Sequence, residues 1–158
     1  MKNLLLILVI CVSSTAFSQK KKVTIEGDTI RVDGVSYAIL EKKGVGAPVY
    51  TIKSMNGTAL MNWQFLDFNN PNKVSNSNPH GRVIYFQVTF FNDKQQCEIN
   101  PAMATAKGVA KCIVENELIK EGEIDQEAEN NFVLVHGKKF SEEKQTLRGG
   151  STIIINNR

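Results

Sequence analysis

The sequence predicts an α+β fold, an antiparallel β-meander with two helices packed on one face and a C-terminal strand. Three observations carry this. Gly27-Asp28, Asp33-Gly34 and Asn56-Gly57 punctuate the first half with turn chemistry. The two longest apolar segments alternate with period two. After Asn100 the apolar spacing changes to that of a helix.

The elements follow in order. Residues 23–26 and 29–32 flank Gly27-Asp28, and residues 29–32 and 35–42 flank Asp33-Gly34. Residues 49–55 and 58–68 flank Asn56-Gly57. Asp-Gly and Asn-Gly suit two-residue hairpins, whose central residues both take positive φ. Gly44-Val45-Gly46-Ala47-Pro48 is the looser link between the third and fourth strands. In the fifth strand Ala59, Met61, Trp63 and Phe65 share a face, opposite Asn62 and Gln64. In the sixth, Ile84, Phe86, Val88 and Phe90 share a face opposite Gln87 and Thr89. These two rows form the expected centre of the core. Between them residues 69–82, rich in Asn, Ser and Pro, read as a long surface loop. Asn100-Pro101 reads as a helix start, with Met103, Ala106, Ala110, Ile113 and Val114 as its apolar stripe. A turn at Lys120-Glu121-Gly122 leads to a second helix, capped by Asp125 and stopped at Gly137. Ala128, Phe132 and Val135 form its expected stripe, and Glu127 and Glu129 suit the positive end of its dipole. The β-branched run Thr152-Ile153-Ile154-Ile155 reads as the last strand, hinged at Gly149-Gly150.

The N-terminus has the three zones of a secretory signal peptide. Lys2 is the positive region, an apolar run spans residues 4–12, and Ala16 and Ser18 are small residues two apart. Cleavage is expected before Gln19, dividing the chain into a signal peptide at 1–18 and one α+β domain at 19–158. The alternative is a lipid anchor at Cys11, but the motif wants a small residue where Ile10 stands. No apolar run reaches the roughly 20 residues of a membrane-spanning helix, so no transmembrane span is expected. Losing Lys2 with the leader lowers the formal charge from +3 to +2. That balance argues against a nucleic-acid surface, which carries a strong basic bias. Lys20-Lys21-Lys22 then reads as a solvated arm.

Export leaves Cys97 and Cys112 in an oxidising compartment, where they form a candidate disulfide. The bridge requires both cysteines to face inward, because packed layers lie about 10 Å apart and bridged Cα atoms within about 7 Å. Gly34-Val35-Ser36-Tyr37-Ala38 resembles a nucleophile elbow without its last glycine, but Ser36 enters a strand rather than a strand-to-helix corner. Gly44-Val45-Gly46 lacks the third glycine and following helix of a phosphate loop. His80, His136, Cys97 and Cys112 show no metal-ligand spacing. Glu121, Glu123, Asp125, Glu127 and Glu129 recur every second residue and so do not share one helical face. The sequence points to no catalytic residue, metal or cofactor.

Four segments carry a resemblance. They are Val88-Thr89-Phe90-Phe91, Cys97-Glu98-Ile99, Glu117-Leu118-Ile119-Lys120-Glu121-Gly122 and Phe132-Val133-Leu134-Val135-His136-Gly137. Over about residues 83–137 the chain is similar to small, uncharacterised exported proteins of Gram-negative bacteria. The resemblance implies no known activity and no catalytic residue.

The expectation is a periplasmic or secreted, non-catalytic protein, a binding or envelope-associated module with a protein as candidate partner. Its candidate surface is the loop at 69–82 with the row around Tyr85 and Phe91, although packing under the helices is the expected fate of each of those two aromatics. The final strand, if at an exposed edge, invites strand addition. The alternative is a small periplasmic hydrolase that gathers Ser36, His80 or His136 with a carboxylate in space.

Overall fold

Seven strands follow one another through the first two thirds of the chain, each pairing antiparallel with the next. The computed structural model describes residues 21–100 and 105–149. The strands are β1 (Val23–Glu26), β2 (Thr29–Val32), β3 (Val35–Lys43), β4 (Val49–Lys53), β5 (Ala59–Asn69), β6 (Arg82–Phe90) and β7 (Gln96–Ile99). Their spatial order is their sequence order, the mark of a meander. Asp33 and Gly34 turn β2 into β3 with φ of 51° and 86°, the doubly positive turn that the right-handed strand twist favours. At Asn56-Gly57 the connection is a wider loop, residues 54–58. There the Asn56 Oδ1 accepts from the Thr58 N–H at 3.0 Å.

Helix α1 (Ala106–Glu115) follows β7, then a small ribbon of β8 (Ile119–Lys120) and β9 (Glu123–Ile124), then α2 (Gln126–His136) and α3 (Lys139–Gly149). The cap of α1 is Thr105, whose hydroxyl accepts from the Gly108 N–H at 3.0 Å, rather than Asn100. Residues 101–104 and the expected strand at 152–155 lie outside the described residues. Asp125 caps α2 by accepting from Ala128 N–H at 3.0 Å, and Gly137 ends it with φ 59°.

Alternation sets the core. Tyr50, Ile52, Met61, Trp63, Phe86, Val88, Phe90, Cys97 and Ile99 are buried on one sheet face. Val109, Ala110, Ile113 and Phe132 from α1 and α2 cover them. Phe132 meets Trp63 and Phe90 with ring centroids 6.5 and 6.3 Å apart. The alternation slips at one place. Ala59 is exposed and Leu60 buried, because the ladder between β4 and β5 shifts register at Ile52/Lys53.

The reverse face is apolar at one end only. Phe68, Val83 and Tyr85 occupy the opposite alternation of β5 and β6 and form a second cluster with Phe140 of α3. Tyr85 stacks on Phe140 at 5.1 Å, so it is a packed residue and not part of an exposed surface. The chain reaches this face by rounding the open edge of β7. The Glu98 N–H donates to the Gly137 carbonyl at 2.8 Å. The buried Glu98 carboxylate then accepts from the Phe140 and Ser141 N–H groups at 2.8 and 2.9 Å, capping α3. Thus α1 and α2 pack on one face as expected, and α3 adds a clamp on the other. Its low apolar content hid it: Phe140 and Leu147, two turns apart, are its only large apolar residues.

Residues 69–82 are tied down. Pro71–Lys73 form a short 3-10 turn capped by Asn70. Asn78 accepts from the Arg82 N–H at 2.9 Å. Gly81 has φ 60°, and a Cβ there would stand 2.0 Å from the Asn70 carbonyl oxygen.

Two predictions follow from this packing. Trp63→Ala and Phe86→Ala each lower unfolding stability by about 3–5 kcal/mol in urea titrations. Gly81→Ala forces apart two backbone segments and costs about 2–4 kcal/mol by the same measurement, while Gly27→Ala, with open space around it, costs less.

Candidate functional site

Two adjoining cavities open where the end of α1, the β8–β9 ribbon and the start of α2 meet the first strands. The larger, about 430 Å³, has Glu115, Glu117, Asp125 and Glu127 among its walls and Ala128, Phe132, Val135 and His136 along α2. The second, about 320 Å³, is lined by Val32, Tyr37, Val114 and Ile119, with Lys21, Lys120, Glu117 and Asp125 around it. Glu117 and Asp125 belong to both, so the pair reads as one groove with an apolar floor and a carboxylate rim.

Each wall has a local cause. Glu117 follows α1 in the left-handed region at φ 53°, the place helices usually give to glycine. The Leu118 N–H donates to Ile113 O at 3.1 Å and the Glu117 N–H to Val114 O at 3.2 Å, and Leu118 is fully buried. A non-glycine residue pays about 1–2 kcal/mol for this conformation. Glu117 also pairs with Lys21 at 2.7 Å, which draws its carboxyl below the usual range. The Tyr37 hydroxyl donates to Ile119 O at 2.7 Å, and burial pushes its pKa up to about 12. This bond staples β3 to the β8–β9 ribbon. His136 rests against Phe132 with centroids 4.4 Å apart. Burial, with Lys139 nearby, lowers its pKa and favours the neutral ring.

The outer surface of α2 differs from the expected stripe. Val135 and Leu134 are 77% and 82% exposed, and the inward residues are Glu129 and Phe132. Glu129 is fully buried rather than a solvated residue of the first turn. The Asn92 Nδ2 donates to its Oε2 at 2.6 Å, and the Asp93 carboxylate lies against it. Burial, with Asp93 beside it, raises the pKa of Glu129 to about 7. Asp93, held by Gln95, is lowered to about 2. A proton on Glu129 therefore has an ionised neighbour to bond to. This pair closes the β6–β7 turn over α2 and lies away from the groove.

Of the residues singled out in the sequence, His136 lines the groove. Ser36 is an exposed strand residue on β3, and His80 is exposed in the loop at 69–82. No hydrogen bond joins any two of these three among the described residues. No group of three or more His, Cys, Asp or Glu among the described residues is placed to hold a metal ion. Cys97 on β7 and Cys112 on α1 are both buried but free, so the candidate disulfide is not made. They face the same core from a sheet and a helix without reaching bonding distance. Instead Cys112 Sγ accepts from Asn116 Nδ2 at 3.6 Å. Burial pushes both thiols up to about 12.

No helix among the described residues is long and apolar enough to cross a membrane. The fold and groove define an α+β meander protein with an acidic, apolar-floored cleft. No protein family model, no curated protein and no solved structure matches the chain.

Two measurements test these assignments. Glu129 is raised above its unfolded pKa, so the native state takes up the proton and stability falls as pH rises from about 4.5 to about 7. Glu129→Gln keeps the hydrogen bonds and removes that loss, about 1–3 kcal/mol, so its urea midpoint no longer falls across the window. Iodoacetamide leaves Cys97 and Cys112 unmodified in the folded mature protein and modifies both in denaturant without reductant, as free buried thiols require.

Proposed function

We propose that this chain is an exported, non-catalytic binding protein whose ligand site is the groove between α1, α2, β2 and β3. The observation that carries the reading is the sharing of Glu117 and Asp125 by two adjoining cavities, the smaller of them with an apolar floor of Val32, Val114 and Ile119. Glu115 and Glu127 add charge to the larger one, and neither has an ion-pair partner among the described residues. Such a cleft favours an apolar body with a cationic end, since Glu115 and Glu127 at the rim stay hydrated until a cation arrives. The left-handed Glu117 supports the same reading. Glycine suits that backbone better, so the side chain is kept at a conformational cost where both cavities meet. The leader at 1–18 supports a periplasmic or secreted location, with Gln19 as the mature N-terminus.

The test uses decylammonium, which carries a cation on an apolar chain, and isothermal titration calorimetry on residues 19–158. The unaltered protein binds it in a salt-sensitive manner. Glu117→Gly weakens binding at least fivefold while leaving stability equal or raising it by about 1 kcal/mol. Equal affinity in the variant removes the groove as the site. Mass spectrometry of the exported protein gives a chain beginning at Gln19; a retained leader or a lipid on Cys11 overturns the assignment of a soluble exported form.

A further inference from the structure

A third cavity lies on the other side of the molecule and has the opposite charge. It measures about 370 Å³ and is lined by Phe68, Asn69, Pro71, Lys144, Leu147 and Arg148. That volume falls within the usual range of small-ligand cavities, about 300–1,000 Å³. One wall is the end of β5 and the 3-10 turn, and the other is α3. The walls are fixed to one another. The Asn70 side chain donates to Glu143, and Lys73 pairs with the same carboxylate at 2.7 Å. Phe68 continues inward to the cluster of Val83, Tyr85 and Phe140, so the floor is anchored in packed side chains.

The charges around it are unevenly settled. Asp67 is taken by Arg82 at 2.6 Å and Glu143 by Lys73. Lys144 and Arg148 have no carboxylate partner among the described residues. They stand four residues apart on α3, on one face, where like charges repel. Lys144 lies over the Phe68 ring at 6.0 Å from its centroid. Two uncompensated cations thus frame a floor of Phe68, Pro71 and Leu147. An anion between them relieves the repulsion, and an apolar body attached to it fills the cleft.

We propose that this cavity binds a fatty acid of medium length, its carboxylate between Lys144 and Arg148 and its acyl chain against Phe68, Pro71 and Leu147. A carboxylate suits the guanidinium of Arg148, which offers paired donors, with Lys144 as a point charge beside it. Chain and charge both contribute, so affinity depends on salt and on the anion. This site is independent of the acidic groove and stands or falls separately.

Calorimetric titration of residues 19–158 with decanoate, below its micellar concentration, decides the matter. The expected result is one site per chain, weakened at least tenfold for decanol and at least threefold by raising salt from 50 to 500 mM, on the order of the screening at those strengths. A Lys144→Ala/Arg148→Ala variant loses decanoate binding tenfold or more and keeps the native circular dichroism melt. Glu117→Gly leaves decanoate binding unchanged. Equal affinity for decanol and decanoate in the unaltered protein overturns the proposal without reference to any variant. Binding absent from the full mature chain overturns it too, including the case where decanoate binds only a chain ended at Gly149.

Discussion

Strands β5 and β6 pair over nine positions, from Met61 opposite Phe90 to Asn69 opposite Arg82, and bury side chains on both faces. That ladder is what the remaining elements pack against. On one face Trp63, Phe86 and Phe90 receive Phe132 and the apolar side of α1. On the other, Phe68, Val83 and Tyr85 receive Phe140. A strand pair apolar on one face alone would leave α3 with nothing to bury. Full burial of large aromatic side chains is worth several kcal/mol each, more than any of the surface ion pairs.

The second constraint is at the open edge of β7. A sheet edge presents unpaired backbone groups that invite other strands. Here the Glu98 N–H is satisfied by Gly137, and its carboxylate by the first turn of α3. One residue therefore covers an edge, caps a helix and fixes where the chain crosses from one face to the other. A buried carboxylate is costly unless donors surround it, and the Phe140 N–H, the Ser141 N–H and the Ser141 hydroxyl do so.

The same crossing explains the charge layout. The helix ends and ribbon on the α1–α2 face bring Glu115, Glu117, Asp125 and Glu127 around one groove. On the reverse face α3 brings Lys144 and Arg148 over the aromatic end of β5. The near-neutral total conceals two cavities of opposite sign, which is why composition by itself argued against a nucleic-acid surface without revealing either.

Much of the architecture was legible in short-range pattern. Asp33-Gly34 fixes a turn because few residue pairs accept two positive φ values, and period two in 61–65 and 84–90 identifies a half-buried strand pair. Asp125 and Gly137 bound α2 by capping chemistry that acts within one turn. What the sequence left open depended on residues distant along the chain. Val135 was expected inward on spacing, yet Glu129 is buried instead because Asn92 and Asp93 meet it from the β6–β7 turn. Tyr85 was expected to pack under a helix, and it does, but the helix is α3, more than fifty residues later, whose two large apolar residues gave no periodic signal. Cys97 and Cys112 share a core without bonding, since facing inward from different layers does not set their separation. Local backbone preference and side-chain alternation decide which elements form. Which side chains become partners across the fold, and so where the groove and the α3 cavity open, is decided when those elements pack.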